Sequence, residues 1–301
     1  MPGKKIKRRE FIAYLAGAAA AGRAITGDIG PRPVLAVSAA AANPVASLRD
    51  ALAALGGIGR FIRGGEWVML LPNPQGRLAG ASTRPELVAE MVRLCLAAGA
   101  GRVEICSIHD QGRWYGTGID RAAQAAGAGL WTPSGGGAWR EIDIPGARRQ
   151  KRLLVISPVL EADLVINMPI AKQHGSTRFT GALKNLMGVN ADNTSWHQGS
   201  AYLVDSIVDL ASAVRPRLLV VDATEVLAEN GPFGPGRTVK PGRVVVGVDP
   251  VAVDSVCCRL LEMRPAEVST IVQAHQRGLG EMNLTEEVPA SGGLILIRSG
   301  G

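Results

Sequence analysis

Trp67 to Ser107, WVMLLPNPQGRLAGASTRPELVAEMVRLCLAAGAGRVEICS, is the stretch on which the fold turns. Trp67–Leu71 is a short apolar run that Pro72 stops, as a strand would be stopped. Ser82-Thr83-Arg84-Pro85-Glu86 offers capping hydroxyls, an early Pro and an acid in the first turn, the signals that start a helix. That helix continues through Leu87, Met91, Leu94 and Cys95 and ends near Gly99. Arg102–Ser107 is the next strand. Strand, helix and strand within about forty residues is the span of a right-handed crossover between parallel strands.

The alternation continues to either side. Ser47–Leu55 reads as a helix closed by Gly56-Gly57. Leu153–Ile156, Leu164–Asn167, Arg217–Val221, Arg243–Val248 and Leu294–Ile297 read as strands. Asp120–Ala126, Phe179–Leu186 and Tyr202–Val214 read as helices, and Asp249-Pro250 caps one that runs towards Glu262. Ser134–Gly137 and the Gly- and Pro-rich stretch Asn230–Gly242 are loops. This order predicts an α/β fold, a mostly parallel sheet with helices on both faces. No linker divides residues 41–301, which are expected to form a single domain.

Residues 1–40 read differently. A basic head, Lys4 to Arg9, precedes an Ala-rich apolar run from Phe11 to Gly22, with small residues beyond. This is the layout of an export signal, and the run is shorter than the roughly 20 residues of a membrane span. Arg8-Arg9 followed by Phe11-Ile12 resembles the twin-arginine (Tat) export motif. That resemblance implies the Tat translocase as a partner during export and a periplasmic address, with cleavage expected between Ala36 and Ala42. A basic amphipathic helix at a cytoplasmic N-terminus has a similar composition; the signal layout favours export.

The charge supports this division. The formal net charge of +7, from 33 Lys and Arg against 26 Asp and Glu, suggests nucleic acid or an anionic surface. Seven of the cations and only two acids, Glu10 and Asp28, lie in residues 1–40, which leaves 26 cations against 24 acids elsewhere. The remainder is close to neutral, and aromatics at 4% are too sparse for rows of base-stacking rings, so nucleic acid is disfavoured. Four cysteines make no disulfide scaffold: Cys95 and Cys106 fall at core positions, and the side chains of Cys257-Cys258 diverge by about 100° on a helix.

Ligands of open α/β sheets sit beyond the carboxyl ends of strands, and three segments concentrate polar groups there. After Leu164–Asn167 come Lys172 and His174, then Lys184-Asn185. The lysines suit an anionic group, His174 suits proton transfer or metal ligation, and Asn185 offers a donor and an acceptor. From composition alone, a solvated Lys-rich loop and a helix with an ordinary cap are the simpler reading. After Arg217–Val221 come Asp222, Glu225, Glu229 and Asn230, carboxylates that bind a hard cation, take a proton or merely form turns. Asp249 is a helix cap, with Asp254 about one and a half turns on. His109-Asp110, after the second strand of the crossover, are further candidates.

In this order the segments resemble the bacterial and archaeal family called domain of unknown function 362. Glu161 to Pro169 leading to Lys172 and His174, Lys184-Asn185-Leu186-Met187-Gly188, Asn230-Gly231-Pro232 and Asp249 to Asp254 carry the resemblance, which spans Leu48 to Gly280. It implies the same α/β fold and frequent Tat export, and no general reaction. Two departures stand out. The family often has a Lys before the Pro-Asn after its first strand, where this chain has Leu71, so that cation is missing. Many relatives carry a ferredoxin-like iron–sulfur module; no Cys-x-x-Cys occurs here, which argues against such a cluster. The reading that results is an exported enzyme or maturation factor acting on an anionic small molecule, with a metal or cofactor as candidate helper. The competing reading is a non-catalytic accessory protein of a periplasmic redox complex. The enzyme reading requires Lys172, His174, Lys184 and Asp222 to converge on one pocket.

Overall fold

The computed structural model describes residues 33–108, 111–284 and 293–298. The chain opens with β1 (Pro33–Val37), α1 (Pro44–Ala54), β2 (Trp67–Pro72), α2 (Pro85–Ala97) and β3 (Arg102–Cys106). It continues with α3 (Gln111–Thr117), α4 (Ile119–Ala125), β4 (Gly129–Trp131), β5 (Trp139–Asp143), β6 (Arg152–Ile156), α5 (Ser157–Glu161) and β7 (Leu164–Met168). A short hairpin, β8 (Lys172–His174) and β9 (Arg178–Thr180), leads to α6 (Ala182–Asn185) and α7 (Ser200–Ala213). The rest comprises β10 (Leu218–Ala223), β11 (Val226–Leu227), β12 (Thr238–Val239), β13 (Arg243–Gly247), α8 (Pro250–Leu260), α9 (Ser269–Gln276) and β14 (Ile295–Arg298).

Eight strands form one mixed sheet in the order β14-β1-β13-β10-β7-β2-β3-β4. The run β10-β7-β2-β3-β4 is parallel throughout, and β13, β1 and β14 add to it in antiparallel pairs. The crossover read in Trp67–Ser107 is β2-α2-β3, and β2 pairs in parallel with β3. Alternate residues of the buried strands feed two cores. Val68 and Leu70 of β2 join Leu87, Met91 and Cys95 of α2 on one face. Met69 and Leu71 join residues of α7, α8 and α9, such as Leu203, Val253 and Ile271, on the other. Both faces are covered by helices, which is why the parallel strands are apolar throughout instead of alternating.

Four local readings change. β6, expected as a buried strand, pairs with β5 in a separate hairpin and not with the large sheet. The stretch expected to be one helix from Phe179 to Leu186 is the end of β9, Gly181 and the four-residue α6. The hydroxyls expected to cap α2 work elsewhere: the N-cap is Arg84, while Thr83 Oγ1 accepts from Asn73 N at 2.9 Å and donates to Met168 O at 2.7 Å. Finally, β1 lies inside the sheet, paired with β13 on one side and β14 on the other. Leu35, Ala36 and Val37 are fully buried. The cleavage window expected between Ala36 and Ala42 therefore cuts within or just beyond a strand that is paired on both sides. Residues 1–32, which hold Arg8-Arg9, lie outside the described residues, and among the described residues no helix is long and apolar enough to cross a membrane.

Candidate functional site

The parallel strands deliver their carboxyl ends to one place. Beyond β7, Pro169–Ala171 runs beside the end of β10: Asp222 N donates to Pro169 O, and Ala171 N to Asp222 O, each at 2.9 Å. This aims the chain into β8, which folds back as β9. Lys172 stands opposite Thr180 across that hairpin, and His174 follows two residues along the same face. α6 then returns Lys184 and Asn185 to the same end of the sheet.

A cavity of about 570 Å³ lies there. Lys172, His174, Lys184 and Asn185 line it, together with Asn73 and Thr180. Its floor is a chain of amide and amine groups. Lys172 Nζ donates to Ala81 O and, at 3.1 Å, to Asn73 Oδ1. Asn73 Nδ2 donates to Asn185 Oδ1 at 2.7 Å, and Asn185 Nδ2 donates to Leu71 O at 2.9 Å and to Asn167 Oδ1 at 2.7 Å. Asn167 Nδ2 closes the chain on Ala182 O at 2.8 Å. Asn167 is fully buried, so each of these bonds must be made, since an unmade one costs roughly 1–3 kcal/mol. A cation therefore does stand at Asn73, although the sequence has Leu71 where the family often has Lys; Lys172 brings it from β8.

Among the described residues no Asp or Glu lines the cavity. Lys172 is 1% exposed, and burial together with the charge of Lys184 lowers its amine to about 7. Burial alone lowers Lys184 to about 8, and its Nζ has the thioether of Met187 as a weak partner at 3.2 Å. Two cations thus share a partly desolvated space with no counter-charge among the described residues lining it, an arrangement that an anion would relieve. His174 Nδ1 accepts from the backbone N–H groups of Ser176 at 3.1 Å and Thr177 at 3.4 Å, so the ring keeps its proton on Nε2. Burial and the nearby lysines push it down to about 3, which makes it a neutral donor and not a cation. The Thr180 hydroxyl, buried in the wall, has no hydrogen-bond partner.

The remaining candidates stand elsewhere. Asp222 does not join the lysines, contrary to the convergence the enzyme reading required. It is fully buried behind them, accepting from Arg84 N at 3.0 Å and from the backbone and hydroxyl of Thr224 at 3.0 and 2.6 Å, and so ties α2 to β10. Asp249 caps α8 through Val251 N and Ala252 N and also accepts from Glu281 N at 2.9 Å. Asp254 caps α6, accepting from Ala182 N at 2.6 Å and Leu183 N at 3.1 Å, and burial raises its carboxyl to about 7. It sits against Gly181, where a Cβ would lie 2.3 Å from its Oδ1. Asn230, at φ 53°, bonds Pro235 O within its own exposed loop. His109 and Asp110 lie outside the described residues. No three His, Cys, Asp or Glu side chains among the described residues come together to hold a metal ion. The four cysteines are buried free thiols, and burial raises each of them.

Sequence reasoning did not name Asn73, Asn167, Thr180 or Phe233 as site residues, and it read Pro232 only as part of Asn230-Gly231-Pro232, in the loop that lines the cavity with Pro232 and Phe233. Gly231 N donates to Gln173 Oε1 at 2.6 Å and Gly175 N to Gly231 O at 3.1 Å, so this loop is docked on β8. A Cβ at Gly231 would lie 1.8 Å from Gln173 O, which makes glycine necessary for the approach. The Pro-Asn after β2 and the Asn-Gly-Pro of this loop were the available signals.

A family model described as domain of unknown function (DUF362) matches residues 68–259. Thylakoid-associated protein sll1697 of Synechocystis sp. is 29% identical over 263 residues, covering 79% of this chain and 76% of that protein. Among solved structures, the lactate racemase apoprotein of Thermoanaerobacterium thermosaccharolyticum aligns with a TM-score of 0.41 and 11% identity, over 77% of this chain and 52% of that one. The chain thus spans about half the length of that structure.

Proposed function

We propose that this chain, which belongs to the domain of unknown function 362 family, binds an anionic small molecule at the carboxyl ends of β2, β3 and β7. One observation carries the reading: Lys172 and Lys184 line one cavity that no described carboxylate enters. Lys184 pairs with the anion from the more open side. Lys172, held by Asn73 and Ala81 with its amine near 7, is placed to take or return a proton, while His174 donates from Nε2. This favours acid–base work on the bound anion over a purely accessory role. The alignment of lysines, asparagines and strand ends in one cavity is what an accessory surface does not need.

Export by the Tat route belongs to the same proposal and rests on the layout of residues 1–32 alone. Any signal removed on export ends before Pro33, because β1 is needed between β13 and β14.

Calorimetric titration of the full chain with acetate, benzoate and inorganic phosphate at pH 6.5 tests the anion site. At least one anion is expected to bind, and Lys184→Met is expected to weaken it about tenfold or more, the worth of one desolvated charge pair. Because the lysines lose charge as pH rises through about 7 and 8, affinity is expected to fall between pH 6.5 and 9. Binding that is absent, or that ignores both Lys184→Met and pH, overturns the reading.

A further inference from the structure

The amide chain in the cavity floor has a direction, set by its far end. Ala182 O can only accept, so Asn167 gives it Nδ2 and turns Oδ1 to Asn185. Asn185 directs Nδ2 to Asn167 Oδ1 and Leu71 O, which leaves its Oδ1 to accept from Asn73 Nδ2. Asn73 must then present Oδ1 to Lys172. Lys172 Nζ thus meets two acceptors, Asn73 Oδ1 and Ala81 O, and both are neutral carbonyl oxygens. An ammonium has three N–H groups to place, whereas a neutral amine has two and a lone pair. Among the described residues the two acceptors match the neutral amine. Both N–H groups are then held, and the lone pair is the one unassigned position on a nitrogen whose residue lines the cavity. Burial and the charge of Lys184 act in the same sense, bringing this amine to about 7. Lys184 is not directed in this way, since the weak contact to the Met187 thioether is all that holds its Nζ among the described residues.

Resting on the anion site proposed above, we infer that Lys172 is a nucleophile and that the ligand is a short oxo carboxylate, whose carbonyl carbon Lys172 attacks to form an imine while Lys184 holds the carboxylate. A desolvated lysine beside a second cation is the setting in which an amine becomes reactive at neutral pH. The step balances within the site. The nitrogen bonds to the carbonyl carbon, the carbon–oxygen double bond breaks, and the oxygen leaves as water with the two amine protons. Nothing is oxidised or reduced. His174, on the same face of β8 as Lys172, donates from Nε2 to that oxygen as charge builds on it. Thr180 stands opposite Lys172 across the hairpin, and its buried hydroxyl has no partner. A hydroxyl both donates and accepts, so Thr180 carries the first proton from nitrogen to oxygen.

Cyanoborohydride tests this directly, because it reduces an imine to a stable secondary amine by giving hydride to the imine carbon. The full chain is incubated at pH 7 with cyanoborohydride and glyoxylate, pyruvate or acetoacetate, and the labelled lysines are mapped by peptide mass spectrometry. At least one of the three acids is expected to label Lys172 about tenfold or more faster than the exposed Lys151 and Lys240, whose amines are protonated at that pH. Lys184→Met is expected to raise the acid concentration for half-maximal labelling about tenfold, with Lys172 still the labelled residue. Lys172 itself is left unaltered, so the outcome does not depend on whether a variant of that buried residue folds. Labelling of Lys184 in place of Lys172, or labelling spread evenly over the surface lysines, overturns the inference. So does the absence of labelling in a protein that binds acetate, benzoate or phosphate, and the anion site then stands. Labelling of Lys172 that ignores Lys184→Met overturns the placement of the carboxylate. If no acid labels the chain and no simple anion binds it, the anion site itself fails.

Discussion

Asp254 shows how much of the site depends on a residue that never reaches it. Its carboxylate holds the first two N–H groups of α6, the helix that carries Lys184 and Asn185, and Gly181 leaves it the room. The price is a carboxyl whose ionisation burial has moved up to about 7. A carboxyl raised in the folded state binds a proton there that the unfolded chain has already released. Its contribution to stability is therefore largest below about 4 and is lost as pH climbs towards 7. Urea unfolding across that window is expected to show a loss in the unaltered protein of at most about 1.4 kcal/mol per pH unit from this group. Asp254→Asn, which cannot ionise, should lack that component. Identical pH profiles for the two would mean that Asp254 does not titrate with folding.

At the level of elements, the sequence disclosed what repeats and missed what does not. The pattern from Trp67 to Ser107 sufficed to read β2-α2-β3, because buried parallel strands and an amphipathic helix differ in period and in their stop signals. The β8–β9 hairpin escaped notice because its strands have three residues each and carry Lys, His, Arg and Thr where a strand pattern would need apolar residues. Lys172, His174, Lys184 and Asn185 were legible as polar residues just past a strand. Asn73 was legible only as part of a turn, and Asn167 only as the end of a strand: the bonds of Asn73 run to Lys172 and Asn185, 99 and 112 positions away, and those of Asn167 to Ala182 and Asn185 on α6, beyond an intervening hairpin. Asp222 and Asp249 looked like site residues because a carboxylate that braces backbone and one that binds ligand have the same sequence signature. The Asn230-Gly231-Pro232 loop needed the structure as well: nothing in its own sequence says that Gln173 lies against Gly231.

The whole molecule sets a boundary that charge alone did not. The net charge drew a line at residue 40, but the sheet begins at Pro33. A chain lacking residues 1–32 is expected to unfold at the same urea concentration as the full chain. One lacking residues 1–42 loses Leu35 and Val37 from the cores and leaves β13 and β14 unpaired on that side, at a cost of about 3–5 kcal/mol or more. Equal midpoints for both truncations would show that β1 is dispensable.

The same sheet brings two lysines into one cavity that no carboxylate among the described residues lines, and that is the feature from which the functional account follows. An anion bound between them must raise both amines from about 7 and 8, so at pH 8 binding has to draw protons from solution. Calorimetric titration of benzoate in two buffers of different ionisation enthalpy measures that uptake directly. The account predicts net proton uptake at pH 8, reduced in Lys184→Met and vanishing towards pH 6. Binding with no proton exchange, or with proton release, would contradict it.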